Sequence, residues 1–303
     1  MDRPAPLPPA RHRLLLWLPL VGITLAALLT QGRWEGVWLA EWTGAPYPVA
    51  LGPGTVLEVF TGALLCEFMD TSLGMGFGTL MAPLLLNIGF EPMDIVPAVL
   101  FSELLTGLSA GLLHQHDGNI DLIRDRRARR TLILLAALSA VGAVAAVLFG
   151  MQLSNQWFAF GSVALVLALG MRTLANARQP TCFRGGGILA IGLIAAFSKG
   201  VSGGGYGPLV TSGQIVCGLP ARQAVAITSI AEALTCLIVL MGYLAVKGAP
   251  DWTLALPLAG GALMAVPWAT LSVRRLPQTW LCAAVGVLTL VLGLVSLVTL
   301  ASR

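Results

Sequence analysis

The stretch FSKGVSGGGYGPLV, residues 197–210, lies inside one of the most apolar parts of the chain, yet it contains a lysine and five glycines. A second stretch, FMDTSLGMGFGTLM at residues 68–81, aligns with it without a gap when the sequence is shifted by 129 residues. The alignment continues to Thr106 and gives 10 identities over 39 positions, among them a glycine triplet and the pair Glu103 and Glu232. Matched glycines and glutamates inside apolar runs seldom arise by chance. The sequence therefore predicts an internal duplication.

The composition indicates a membrane protein. Of the 303 residues, 56% are hydrophobic and only 11% are charged, and the mean hydropathy is +0.84, well outside the range of soluble domains. Apolar runs of about 20 residues, the length that crosses a hydrocarbon core of ~30 Å, recur from Leu14 nearly to the C-terminus. This pattern predicts an all-α polytopic fold.

The duplication divides the chain into three parts. Residues 1–54 are expected to form an N-terminal transmembrane helix and a periplasmic interfacial loop, 55–178 the first repeat and 179–303 the second. The predicted helices are 55–70, 78–88, 92–114, 130–150 and 156–175, then 187–199, 207–217, 221–246, 252–273 and 279–301. The two segments around each glycine cluster are too short to span comfortably. Each pair is expected to form a broken-helix hairpin that either crosses the membrane or is re-entrant.

The distribution of positive charge predicts how the repeats are oriented. With the N-terminus in the cytoplasm of a bacterial inner membrane, fourteen of the eighteen Lys and Arg residues fall in cytoplasmic loops, three fall outside and Lys199 lies in the membrane. This split follows the positive-inside rule. It makes the first repeat start outside and the second inside, so the two have inverted topology, which is typical of transporters.

The glycine clusters are the predicted substrate site. Broken helices offer free backbone N–H groups and the positive ends of helix dipoles to an anion, and glycine lets a ligand approach the backbone. The alternative is that these glycines serve only close helix packing. The predicted substrate-binding residues are Gly74, Gly76, Gly78, Lys199, Ser202, Gly203, Gly204, Gly205 and Tyr206.

Charged residues inside the membrane are the other candidates. The shift of 129 residues pairs Asp70 with Lys199, and an intramembrane lysine is costly unless it has a partner. Lys199 either neutralises Asp70, as a resting or permanent ion pair, or is available to hold an anion. Glu103 and Glu232 are expected to face the bundle, where they either carry protons or hydrogen-bond the hairpin backbones. Glu67 has no acidic counterpart in the second half and is less informative.

No other chemistry is indicated by the sequence. His114 and His116 are expected at the membrane interface rather than as ligands, and the five cysteines form no CxxC pair. No metal site, cofactor, catalytic residue or nucleic-acid partner is predicted. The expected partners are a small anionic substrate and the lipid bilayer, with a homodimer left open.

At these residues the chain resembles the sulfite exporter TauE/SafE family of permeases. The resemblance is carried by KGVSGGGYGP (residues 199–208), by the looser GMGFGTLMAP (74–83) and by the downstream TSIAE (228–232). It covers about residues 55–301. It implies transport of sulfite, sulfonates or other small sulfur-containing anions. The N-terminal helix departs from the minimal family pattern.

Three functions are therefore to be weighed. An anion carrier is favoured by Lys199, the glycine clusters and the family resemblance, with alternating access as its mechanism. A cation carrier is the alternative, because the intramembrane acids outnumber the base, and it is favoured if a pair of acids meets in a dehydrated pocket without Lys199. An intramembrane enzyme using Ser202 and Lys199 comes third, since the adjacent glycines hold a nucleophile poorly.

Overall fold

The computed structural model describes residues 51–149, 156–175, 185–202 and 206–301. Within these ranges it describes all side chains except those at positions 92, 143, 145–149, 156–162, 185, 197–202, 246–247 and 299–301. Nearly all of the expected N-terminal helix and interfacial loop, and Gly203, Gly204 and Gly205 of the second glycine cluster, lie outside the described residues.

Every regular element in the described ranges is an α-helix. The ten helices are α1 (Pro53–Leu73), α2 (Phe77–Ile88), α3 (Pro92–His116), α4 (Arg126–Phe149), α5 (Gln156–Ala175), α6 (Gly185–Ser202), α7 (Tyr206–Val216), α8 (Ala221–Lys247), α9 (Trp252–Arg275) and α10 (Gln278–Ala301). The predicted all-α class and the order of helices agree with this arrangement.

The helix boundaries repeat with the spacing found in the sequence. Helices α2 and α7 begin at Phe77 and Tyr206, which are 129 residues apart, and α3 and α8 begin 129 residues apart as well. The turns after α2 and α7 both use a glycine with positive φ, Gly89 at 109° and Gly218 at 95°. A left-handed residue after the last helical turn is where glycine has the lowest conformational cost. The shared turn therefore accounts for the matched glycine pair.

The prediction of short segments around each glycine cluster is correct for α2 and α7 and wrong for α1, and α6 has 18 residues, five more than the predicted 187–199. Helix α1 has 21 residues, about 31 Å at 1.5 Å per residue, because it begins at Pro53 and continues past Asp70 to Leu73. Proline suits this start, since the first helical position needs no N–H donor. Helices α2 and α7 have 12 and 11 residues, too short to cross a core of ~30 Å.

Helices from the two halves pack against each other throughout the described structure. Helix α1 packs on α9, and the equivalent pair is α6 on α4. In the same way, α3 packs on α9 and α8 packs on α4. The pairs α3–α8 and α5–α10 each join two equivalent helices. The α3–α8 crossing is close because Gly107 has no side chain, since a Cβ there would lie 2.6 Å from the Ser229 carbonyl oxygen. Exchanging the two halves maps these pairings onto one another.

The surface suits a lipid environment. Four helices in the described ranges are long and apolar enough to cross a membrane, within Met93–His116, Ala221–Ala245, Trp252–Arg275 and Gln278–Val298. Large apolar side chains point outward from several helices, with Leu112 on α3 73% exposed and Ile133 on α4 61% exposed. Extended apolar surface of this kind is rare on soluble monomers and is stable in lipid.

Asp125 joins the α3–α4 connection to α8. Its Oδ1 accepts hydrogen bonds from the N–H groups of Arg127 (2.8 Å) and Ala128 (3.1 Å), and its Oδ2 accepts one from Gln223 Nε2 (3.0 Å). Burial alone raises the pKa of Asp125, but the hydrogen bonds outweigh it and hold the pKa below its ordinary value. The carboxylate therefore serves as the N-terminal cap of α4.

We expect Asp125→Ala to lower the free energy of unfolding by about 1 kcal/mol, the usual effect of losing such a cap. Because the pKa is lower in the folded state, the contribution of Asp125 is complete above the unfolded value of about 3.9 and is lost as pH falls through the folded value. The melting temperatures of the wild type and of Asp125→Ala, at pH values from neutral to below about 3.9, measure this contribution. The control is Glu91→Ala, at the N-cap of α3, where no side-chain cap bond exists. Equal effects of the two substitutions would contradict the prediction.

Candidate functional site

The first glycine cluster breaks the backbone between α1 and α2. Gly74 takes φ of 75° and ends α1, and Gly76 takes φ of 135° and immediately precedes α2. L side chains rarely adopt this part of conformational space, so glycine is required at both positions. Gly78, the first residue of the predicted helix 78–88, is the second residue of α2. Its N–H group is one of the donors that the first turn of a helix leaves unused.

Two carboxylates occupy the N-terminus of α2. The Phe77 N–H donates to Asp70 Oδ1 at 3.3 Å, and the Gly78 N–H donates to Glu103 Oε1 at 3.1 Å. Asp70 comes from α1 and Glu103 from α3, so the helices before and after α2 each supply one acceptor. The start of a helix attracts anions because its free N–H groups and its dipole both favour negative charge. The half-helix is thus an anion site already filled by the protein itself.

Glu103 also connects the two halves of the chain. Its second oxygen, Oε2, accepts a hydrogen bond from the Cys236 thiol of α8 at 3.2 Å. The hydrogen bond to Gly78 is one of the two roles that the sequence left open for this residue. Glu103 is 3% exposed, so few of its contacts are made with solvent.

Four carboxylates meet around one narrow cavity that is too tight to hold a water molecule. It lies between α1, α3 and α8 and is lined by Glu67, Asp70, Glu103, Thr106, Gly107, Ser229 and Glu232. Asp70, Glu103 and Glu232, predicted as coupling or structural polar residues, are therefore brought together. Helix α3 contributes Glu103 and helix α8 the equivalent Glu232, because these two helices cross at Gly107.

Glu67 is the cavity residue that the sequence undervalued. It is 1% exposed; its Oε1 accepts the Thr71 hydroxyl at 2.6 Å, and its Oε2 has no hydrogen-bond partner among the described residues. The comparison between halves gave it little weight because no acid stands at the equivalent position. A different signal was present: Glu67, Asp70, Thr71 and Gly74 fall at i, i+3, i+4 and i+7 of an apolar helix, which places them on one face.

The first break packs directly against the second hairpin. The Thr211 hydroxyl of α7 donates to the Gly74 carbonyl at 2.7 Å. A Cβ on Gly207 would lie 2.6 Å from the same carbonyl oxygen and 2.7 Å from Met75 Cα. Gly207, the first residue of the predicted helix 207–217, lies within α7 and allows the two hairpins to touch.

Tyr206 lies away from the cavity. Its side chain is fully buried and its hydroxyl is 2.7 Å from Ser139 Oγ of α4. The backbone of Lys199 and Ser202 belongs to α6, but their side chains lie outside the described residues, as do Gly203, Gly204 and Gly205 entirely. Of the predicted substrate-binding residues whose side chains are described, Gly74, Gly76 and Gly78 therefore lie beside the carboxylates and Tyr206 does not.

His114 was expected at the membrane interface, but it is fully buried. Its Nδ1 lies 2.9 Å from Asn119 Nδ2 and its Nε2 lies 3.2 Å from the Thr71 carbonyl oxygen. Because the amide of Asn119 donates to Nδ1, the ring proton belongs on Nε2, where it is donated to Thr71. Asn119 also donates to the Thr270 carbonyl at 2.9 Å. His114 thus joins the end of α3 to α1 and, through Asn119, to α9.

The described residues do not form a metal-binding site. No group of three or more His, Cys, Asp or Glu residues among them is arranged to hold an ion. The cavity combines carboxylates, hydroxyl groups and a helix N-terminus. This arrangement can bind and release protons, and it can present backbone N–H groups to an oxyanion when the carboxylates withdraw.

Comparisons with known proteins agree with this architecture. A family model described as Sulfite exporter TauE/SafE matches residues 59–296. A probable membrane transporter protein of Bacillus subtilis (strain 168), YtnM, is 26% identical over 243 residues, which cover 76% of this chain and 78% of that protein. No solved structure matches the chain. With its apolar helices and the family match over most of its length, the chain is a multi-pass membrane protein that belongs to the sulfite exporter TauE/SafE family of transporters.

Proposed function

We propose that this protein is a secondary transporter that moves a small sulfur-containing oxyanion, such as sulfite or an organosulfonate, across a bacterial inner membrane by alternating access. One observation carries the proposal: the N-terminus of half-helix α2 holds the carboxylates of Asp70 and Glu103 on its first N–H groups. A carboxylate resembles sulfite and sulfonates in being a negatively charged group whose oxygen atoms accept hydrogen bonds. The two side chains therefore occupy the place of a substrate anion.

Competition between these carboxylates and the substrate gives a mechanism for coupling. An ionised carboxylate holds a backbone N–H more strongly than a neutral carboxyl does, because hydrogen bonds to charged groups are the stronger ones. Protonation of Glu103 or Asp70 weakens its bond to α2 and lowers the negative charge of the cavity. The N–H groups then become available to the incoming anion, so that anion and proton bind together.

The packing of the helices supports alternating access. The most extensive helix pairings between the two halves map onto one another when the halves are exchanged, and positive charge in the loops follows the pattern of inverted topology. The two glycine-rich hairpins meet at Gly74 and Gly207. A rocking motion of one repeat against the other would separate the hairpins at this contact and open the site to one side. The same charge pattern favours an N-terminus in the cytoplasm.

Lys199 is the proposed positive partner of the anion. The duplication places it at the position equivalent to Asp70. An ammonium group is a compact charge whose protonation responds to desolvation, which suits transient binding better than a permanent arginine.

A cation carrier remains the second candidate, and the cavity favours it. Four carboxylates line one space, and Glu67 Oε2 there lacks a hydrogen-bond partner among the described residues. A transported cation bound at these oxygens would offset their charge. Sodium and divalent cations therefore belong in the binding experiment.

We expect Glu103→Gln to bind sulfite or a short sulfonate about 5- to 10-fold more tightly at neutral pH. The glutamine still accepts the Gly78 hydrogen bond, but a neutral acceptor holds it about 1 kcal/mol less strongly and no longer repels the anion. Calorimetric titration of the purified protein measures the affinities. Glu58→Gln, an exposed residue on α1, is the matched control and is expected to bind as the wild type does.

Two further titrations decide between the candidates. Lys199→Ala is expected to lose anion binding. If anion binding survives this change, the backbone N–H groups alone hold the substrate. Binding of sodium or a divalent cation that Glu103→Gln or Glu232→Gln removes, without any anion binding, would instead establish the cation carrier.

A further inference from the structure

Glu67 differs from Asp70 and Glu103 in its hydrogen bonds. Asp70 and Glu103 each accept a backbone N–H from α2. Glu67 accepts one hydroxyl, from Thr71, on Oε1, and its buried Oε2 has no hydrogen-bond partner among the described residues. A buried carboxylate needs hydrogen-bond donors or positive charge on both oxygens to remain ionised at low cost. Glu67 is thus a poorer place for a negative charge than Asp70 or Glu103.

The surrounding titratable groups increase this cost. The cavity places Glu67 with Asp70, Glu103 and Glu232, and carboxylates that share a site cannot all ionise freely. From α3 and α8 the nearby groups are His114, whose Nε2 donates to the Thr71 carbonyl, and Cys236, whose thiol donates to Glu103.

The other helices packed on α1 offer little to offset the charge. Helix α2 carries no titratable residue, α9 carries Arg274 and Arg275 at its C-terminal end, and α10 carries Cys282. On α1 itself, Cys66 and the exposed Glu58 add no positive charge. The side chain of Lys199, on α6, lies outside the described residues.

We propose that Glu67 is a proton-binding site of this transporter, with the proton on Oε2. In the closed cavity the residue is a neutral carboxylic acid; when the cavity opens to water, the Oε2–H bond breaks and the proton passes to water. The Thr71 hydroxyl occupies Oε1 and so directs the proton to the other oxygen. A proton is favoured over a metal ion because no described group of ligands has the arrangement for a metal. The role in coupling rests on the proposed function, whereas the protonation itself does not.

Infrared difference spectroscopy of the full-length protein in lipid nanodiscs tests the protonation directly. We expect the C=O stretching band of a buried carboxylic acid at neutral pH in the wild type and in Glu58→Gln, and its loss in Glu67→Gln. Thr71→Val keeps the side-chain shape but removes the hydroxyl, so it is expected to shift this band. It also supplies the test if Glu67→Gln does not fold. A band that persists unchanged in Glu67→Gln, or that Thr71→Val leaves in place, would overturn the assignment.

Proteoliposomes test the role in coupling. With a sulfur oxyanion as substrate, Glu67→Gln is expected to lose uptake driven by a pH gradient while keeping counterflow exchange of the substrate. If the wild type transports no such anion, the function proposed above fails, while the infrared band still reports on Glu67. If sodium, rather than alkaline pH, removes the band, the site binds sodium and the proton assignment is wrong. Uptake by Glu67→Gln with the pH dependence of the wild type would also contradict it.

Discussion

Gly207→Ala is expected to lower the melting temperature by about 5 to 10 °C and to abolish transport, because it separates the two hairpins. The new Cβ would lie 2.6 Å from the Gly74 carbonyl oxygen and 2.7 Å from Met75 Cα. Both are backbone atoms of the break, which no change of rotamer can move. Overpacking of this kind costs about 3 kcal/mol. Thermal unfolding in detergent and substrate uptake by proteoliposomes measure the two effects.

Two other glycine-to-alanine changes are the controls. For Gly213, also on α7, the three atoms nearest to a Cβ all belong to the side chain of Ile191, and Gly186, on α6, has nothing within 4 Å of a Cβ. We expect a smaller loss for Gly213→Ala, since Ile191 can adjust, and no loss or a slight gain for Gly186→Ala, because alanine is the better helix former. If Gly207→Ala were as stable as Gly186→Ala, the close contact of the hairpins would be refuted.

His114→Leu is expected to lower the free energy of unfolding by about 2 to 3 kcal/mol. The substitution preserves the approximate size of the side chain but removes two buried hydrogen bonds, to the Thr71 carbonyl and from the Asn119 amide. Both partners remain buried without their bond, and an unsatisfied buried group costs more than the bond itself contributes. The melting temperature of the purified protein measures the loss.

His116 is the matched control on the same helix. Its ring lies 3.4 Å from the carboxylate of Asp117 and is 28% exposed, and partly exposed ion pairs contribute little to stability. His116→Leu is therefore expected to change the melting temperature by no more than a degree or two, about 0 to 1 kcal/mol. A larger effect at His116 than at His114 would show that the burial of His114 is wrongly described.

Much of the fold could be predicted from the sequence. Hydrophobic runs separated by glycines and charges define the order of the helices, because membrane helices must be long and apolar and must satisfy their own backbone hydrogen bonds. The shift of 129 residues located the start of α3 at Pro92 and of α8 at Ala221, and it singled out Glu103 and Glu232. The end of α1 was missed by three residues, since only the backbone angles of Gly74 show where the helix stops.

The site was only partly predictable, and the misses share a cause. Equivalence between the halves identified Asp70 and Glu103 but could say nothing of Glu67, which has no counterpart. Sequence position placed His114 and His116 together at the interface, although the loop after α3 folds back and buries one of them against Asn119. Burial and hydrogen bonding depend on atoms that are far apart in the chain.

The sequence by itself determined that this chain crosses a membrane, that its two halves share one pattern and that glycine interrupts a helix in the first half. These properties follow from local composition and spacing, which act on neighbouring residues. Only the tertiary structure decided that Asp70 and Glu103 occupy the N-terminus of α2, and that Glu67 meets Glu103 and Glu232. The physical reason is that the crossing of α3 and α8 at Gly107 sets the distance between carboxylates that lie up to 165 residues apart in the chain.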